Sequence, residues 1–300
     1  DQPPNALLIA PAGRGKSALV VRWLASLLQR RLAQVIFVPV SARFDVASGL
    51  EFFSTLSALL SVAHAQPVSP KGSLEERRAE CKFLLTRPWS GERPLLIVLD
   101  GLDEAAGWEL NRYFFPEPPP AGVRFLLSAR SKAAEENDDD WRAVLGWESE
   151  ASACSIPLSR LSPPGIADVL ARMGDPLDGL APKEELVAAL FRLSDQGDPL
   201  LVELYVKRLK EKGKEAGRLS ARDLEGMEPG LRGYFSDWWK DQRKIWGDKS
   251  PVLDRGVRTL LNLLAMALGP LSLQDLCELA PEAEQMDRWV MEESLKTLQR

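Results

Sequence analysis

Histidine and cysteine are the scarcest chemistry-bearing residues in this sequence, with one and three among 300. Cys81, Cys154 and Cys277 are widely separated, odd in number and without metal-ligand spacing. That pattern argues against a disulfide framework or a zinc site and for free thiols in a reducing, cytoplasmic setting. His64 stands near the expected end of a helix, where a surface or capping role suits it, and chemistry built on a histidine base finds little support. Long apolar runs are missing too: none approaches the ~20 residues of a membrane helix, and no signal-peptide pattern is visible. Nor is there a surplus of positive charge. With 38 Lys+Arg against 43 Asp+Glu the net charge is -5, which gives no global basic field for nucleic acid or an anionic membrane, a local patch aside. What is present, 45% hydrophobic and 27% charged residues, is the balance of a soluble globular protein. The length suggests two or three domains.

The most informative stretch is Ala10-Pro11-Ala12-Gly13-Arg14-Gly15-Lys16-Ser17. Before it, residues 6–9 are apolar and fit a buried parallel strand; after it, residues 18–31 carry Leu19, Trp23, Leu27 and Leu28 at helical spacing. In a strand–loop–helix setting, glycines let backbone N–H groups curl around phosphates and the helix N-terminus favours negative charge. Lys16 would reach the β- and γ-phosphates and Ser17 would offer its hydroxyl to Mg2+. Pro11, Ala12, Gly13, Arg14, Gly15, Lys16, Ser17 and Ala18 are therefore expected to line a nucleoside triphosphate. The usual pattern opens with glycine where this chain has Ala10, which is acceptable if that position keeps a negative φ.

Along the chain, residues 35–40 read as a second buried strand, followed by helices over 50–62 and 74–85. Arg43, just past that strand, could approach phosphate, although a surface role suits it better. Five aliphatic residues, Leu95 to Leu99, then form a strand apolar enough for the middle of a parallel sheet, with Asp100, Asp103 and Glu104 at its carboxyl end. Asp100 would hold Mg2+ through water opposite Ser17, and either Asp103 or Glu104 would orient or deprotonate the attacking water; an acidic helix cap is the plainer alternative. Residues 123–128 make a further strand ending at Arg130, which either contacts a γ-phosphate or sits in a surface salt bridge. The acidic run 135–140 reads as a solvated loop, and 154–158 as a last, weaker strand. From Ser162 the chain turns helical, over 166–173, 183–193 and 200–212. Phe235, Trp238, Trp239, Gln242 and Trp246 fall on one broad helical face, more in keeping with an interdomain core than with a base-stacking platform. Three helices, over 252–268, 271–276 and 289–298, suit a winged-helix module. The chain opens at Asp1 just ahead of the first strand and stops at Arg300 inside an apparent helix, so it reads as a piece of a longer polypeptide.

On the loop ending Gly15-Lys16-Ser17, the segment Leu96 to Leu99 with Asp100-Gly101-Leu102-Asp103-Glu104, the strand Phe125-Leu126-Leu127-Ser128-Ala129-Arg130 and Gly197-Asp198-Pro199-Leu200, the chain resembles the STAND class of signal-transducing P-loop ATPases, closest to its NACHT-like bacterial members. The resemblance implies an α/β P-loop NTPase domain, a parallel sheet flanked by helices, over 1–160. A helical domain over 161–248 and a truncated winged-helix domain over 249–300 would follow. It implies that Lys16 and Ser17 bind phosphate and Mg2+, that Asp100 organises Mg2+, that Glu104 or Asp103 supports hydrolysis, that Arg130 senses the γ-phosphate and that Pro199 packs near the adenine. It further implies a slow ATPase switch, held off by ADP and opened by ATP with a trigger. The opened form would self-associate to activate a fused effector, in bacterial antiphage defence or signalling. Effector and sensor regions would lie outside this fragment, with no membrane partner. Many relatives place a histidine on the ADP phosphates, and none occurs from Asp198 to Arg300. A DNA-binding transcription regulator of the same build and a motor ATPase are the alternatives. Gln274, Asp275 and Glu278 give nucleic acid little to bind through these residues.

Overall fold

The structure, a computed structural model, describes residues 3–41, 47–69, 71–131, 139–246, 255–267, 271–280 and 287–298. Arg43 and residues 135–138 of the acidic run lie outside the described residues. The first half runs β1 (Asn5–Ile9), α1 (Lys16–Gln29), β2 (Gln34–Pro39), α2 (Gly49–Ala63), α3 (Leu74–Leu85), β3 (Leu95–Asp100), β4 (Val123–Ala129), α4 (Asp139–Leu145) and β5 (Ala153–Ser155). The strands form one parallel sheet in the order β2-β3-β4-β1-β5. All six residues of β3 are buried, as the uninterrupted aliphatic run requires of a strand covered on both faces.

Alternation along the strands divides the core into two layers. Leu7, Ile36, Ile97, Phe125 and Leu127 face α2 and α3. Leu8, Leu96, Val98 and Leu126 face Val20 and Leu24 of α1. The first layer is the thicker because the connection between β3 and β4, which reads in the sequence as a long link, folds into it. Trp108 stacks on Phe52 at a centroid distance of 4.3 Å and donates its indole N–H to Ala47 O at 2.6 Å, while Phe114 and Phe115 are buried beside Trp147. The second layer is thinner. Trp23 and Leu28 of α1 stay exposed, and a groove of about 630 Å³ opens between that helix and the sheet.

The acidic run expected to be a loop does not remain one throughout: Asp139 and Asp140 occupy the first turn of α4, where carboxylates complement the helix dipole. Beyond β5 the chain is helical: α5 (Pro163–Arg172), α6 (Glu184–Leu193), α7 (Pro199–Glu211) and α8 (Gly230–Trp246) enclose a separate core around Ile166, Leu170, Leu190, Leu193, Leu201 and Tyr205. Ser162 caps α5 by accepting from Gly165 N at 3.3 Å. The aromatic face expected on α8 splits. Tyr234 meets Tyr205 edge-on at 5.1 Å and Trp238 packs against the helical core, whereas Phe235 is 52% exposed. The side chains of Gln242 and Trp246 lie outside the described residues. Finally α9 (Arg255–Met266), α10 (Leu273–Leu279) and α11 (Arg288–Leu298) close on Leu260, Leu276 and Met291, with Ser272 and Asp275 forming a capping box at the start of α10. No helix among the described residues is long and apolar enough to cross a membrane.

Candidate functional site

The parallel register brings three carboxyl ends together. Ile9 of β1 pairs with Ala129 of β4, and Leu99 of β3 with Leu127 of β4, so the loop leaving β1, the acids after β3 and Arg130 after β4 emerge side by side. In an open parallel sheet this edge, where the connections diverge, is where ligands bind.

Between β1 and α1 the loop turns through Gly13 and Gly15 at φ 76° and 81°. Ala10 is buried and is not among the positive-φ residues, so alanine costs nothing there. Gly15 is the N-cap of α1; it brings no capping side chain, and the first turn carries no acid. In contrast α2, α3, α5, α7 and α10 all begin with a side-chain cap. An uncapped helix start can receive an anion, although α6, after Lys183, also lacks a side-chain cap. Lys16 folds back over the loop, donating to Ala10 O at 2.7 Å and Pro11 O at 3.0 Å. Its pKa is lowered chiefly by burial. Asp103 and Asp100 pull it back up, and Arg130 and Arg14 push it further down. Ala12, Gly13, Ser17 and Ala18 are exposed and Pro11 half-buried.

Asp100 is 5% exposed, and the Ser128 hydroxyl of the neighbouring strand donates to its Oδ1. Gly101 N donates to Ser128 Oγ at 3.1 Å, so one serine orders the carboxyl end of β3. Residues 102–104 make a single 3-10 turn that aims two acids at one guanidinium. Arg130 Nε lies 2.9 Å from Asp103 Oδ2 and Arg130 Nη2 3.2 Å from Glu104 Oε1, while Arg130 N donates to Asp103 Oδ1 at 2.8 Å. A cavity of about 360 Å³ adjoins this trio, walled by Leu102, Trp108, Leu110 and Trp141.

The residues on hand suit Mg2+. That ion keeps several waters and takes one or two carboxylates together with phosphate oxygens; the Ser17 hydroxyl and the Asp100 carboxylate, steadied on one oxygen by Ser128, form such a set. No cluster of three or more His, Cys, Asp or Glu side chains occurs among the described residues.

The loop also meets a distant segment. Pro199 is the first residue of α7, capped by Asp198. Leu200 presses on the loop so closely that a Cβ on Gly13 would fall 2.7 Å from Leu200 Cβ. Arg14, expected among the phosphate-lining residues, carries its side chain away to Asp198, with Nε 3.4 Å from Oδ2. Sequence reasoning missed Ser128 and Asp198. An Asp immediately before a Pro-initiated helix reads as an N-cap, but nothing local shows that it also meets Arg14.

No family model and no curated protein matches the chain. Among solved structures it is similar to the Orc1 protein of Aeropyrum pernix in complex with DNA, at 17% identity over 100% of this chain and 78% of that one, TM-score 0.45. It is also similar to Cdc6p of Pyrobaculum aerophilum, at 15% identity over 97% and 74%, TM-score 0.45. A third is AMPPCP-bound DnaA of Aquifex aeolicus, at 14% identity over 100% and 82%, TM-score 0.42.

Proposed function

We propose that this chain is the ATP-binding and slowly ATP-hydrolysing part of a STAND-type molecular switch. ADP would hold it off, ATP would drive self-association, and the assembled form would activate an effector in bacterial antiphage defence or signalling. In this reading residues 1–160 handle nucleotide, 161–248 form a helical lid and 249–300 begin a winged-helix domain. The observation that carries it is the convergence of the uncapped loop at Lys16, the buried Asp100 and the Asp103–Glu104–Arg130 trio on one sheet edge, with 197–200 laid over the loop.

Each residue then has a task. Lys16 gives up its two carbonyl acceptors to take the β- and γ-phosphates, while the N–H groups of 13–18 cradle them. Ser17 and Asp100 would hold Mg2+, which supplies charge neutralisation on the phosphate oxygens when bound. Pro199 and Leu200 would border the base. Asp103 and Glu104 hold the positions from which a water could be oriented and its proton accepted, but Arg130 occupies oxygens of both. Turnover is slow in this arrangement because Arg130 must leave the two acids for the γ-phosphate before either serves the water. That makes Arg130 a reporter of the triphosphate.

The test is Lys16→Ala, which should abolish ATP binding measured by calorimetry, whereas tight ATP binding by that variant would overturn the assignment of the loop. Stoichiometric ADP released on denaturing the purified protein would support the product-held switch. An empty site with rapid turnover would favour a motor ATPase.

A further inference from the structure

Resting on the nucleotide-binding reading, we infer that Arg14 is a positioning residue: its pair with Asp198 couples the shape of the phosphate loop to the seating of the helical lid, so that opening the lid and releasing nucleotide become one event.

Arg14 lies between the two left-handed glycines of the loop, yet its side chain is only 3% exposed and runs to Asp198. Asp198 divides its carboxylate between two jobs. Oδ1 accepts from Leu200 N at 3.0 Å and Leu201 N at 3.3 Å, fixing the start of α7, and Oδ2 faces Arg14. The neighbouring residues repeat the contact without charge, since Gly13 abuts Leu200. The loop and the first turn of α7 are therefore joined at two adjacent positions, one ionic and one steric.

The same helix start is tied to the connection between the two units. Leu161 N donates to Gly197 O at 2.8 Å. Gly197 stands at φ +84° with its missing Cβ 1.9 Å from Leu161 O, so no other residue fits. Arg160 reaches Asp195. Any outward swing of the lid about residues 160–162 must draw Asp198 off Arg14. That pair is largely buried, with the Arg14 side chain 3% and the Asp198 side chain 19% exposed, and breaking one member of such a pair is costly. Phosphates that hold the loop in its binding shape hold Arg14 on Asp198, and by reciprocity a seated lid slows their departure.

The decisive comparison uses residues 1–300 loaded with the fluorescent analogue mant-ADP. Asp198→Asn keeps a good N-cap and removes the charge. It should release mant-ADP at least about fivefold faster than wild type, within the usual range of site-to-site coupling, and should lose the ADP-dependent hydrogen-exchange protection of residues 158–165. Arg14→Gln, which leaves the cap untouched, should do the same and serves if Asp198→Asn folds poorly. The double variant should be no faster than either single one, because the two act as a unit. Wild-type release and protection in both single variants, or rate effects that multiply in the double variant, would overturn the coupling. Absence of any mant-ADP signal in wild type would instead overturn the nucleotide reading beneath it.

Discussion

Arg130 is the residue that ties the sheet edge together: its guanidinium pairs with both Asp103 and Glu104, the two acids to which the proposed function gives the attacking water. Glu104→Gln keeps a hydrogen-bonding oxygen there but removes the base. It should leave ATP affinity within a few-fold and lower the steady-state phosphate-release rate by about 10²–10⁴-fold, the usual contribution of a general base. If turnover survives that change and Asp103→Asn abolishes it, Asp103 is the base and Glu104 only holds Arg130. Cysteines divide as sharply by environment. Cys81 is buried with its thiol against Phe53 O at 3.3 Å, and burial pushes its pKa from 9.0 up to about 12; Cys154 is exposed. Iodoacetamide near pH 8 should therefore alkylate Cys154 readily and Cys81 only in denaturant, read by peptide mass spectrometry. For the pH dependence of stability the sign follows from the raised value. The folded form favours the neutral thiol, so this contribution is complete below the unfolded pKa of 9.0 and is lost as pH rises toward about 12. Urea midpoints of wild type should fall more steeply above pH 9 than those of Cys81→Ala.

Among the elements, α1 and α7 explain each other. The first begins without a cap and the second with a doubly used one, and the two starts meet at Gly13 and Leu200. The turn before α7 is sterically closed, so Gly197→Ala should destabilise the protein by about 2 kcal/mol or more, the scale of forcing a side chain into a left-handed position against backbone. Thermal melting checks it; an unchanged midpoint would mean that Leu161 moves aside easily. Most helices and strands were legible from periodicity, and α3 covers the 74–85 that its pattern gives, with a Ser73 capping box that the structure adds. Two elements were not. The start of α4 was hidden because acids read alike in a loop and in a helix's first turn. The link after β3 was hidden because Trp108, Phe114 and Phe115 carry no period, and their burial comes from partners on α2 and near β5.

At the scale of the molecule the described residues form four buried clusters, two of them on the opposite faces of the sheet, and the α/β and helical units touch through the loop and residues 160–162 with 195–200. Ligand at a hundredfold excess over its dissociation constant adds about 2.7 kcal/mol to whatever unfolds with the site. ADP should then raise the melting transition of the α/β and helical units together in calorimetry. The small core of α9–α11, closed on its own three helices, should melt without responding; a single transition shifted as a whole would show that the trio is docked on the rest. The sequence by itself determined most elements, the glycine loop between β1 and α1 and the acids that follow β3, because hydrophobic period, caps and backbone turns act between residues close along the chain. Only the tertiary structure decided that Ser128 steadies Asp100, that Arg130 holds both Asp103 and Glu104, and that Arg14 leaves the cradle for Asp198. Those pairings are set by strand order, parallel register and the seating of a distant helix, and side chains so far apart in sequence meet only once the sheet and the lid are in place.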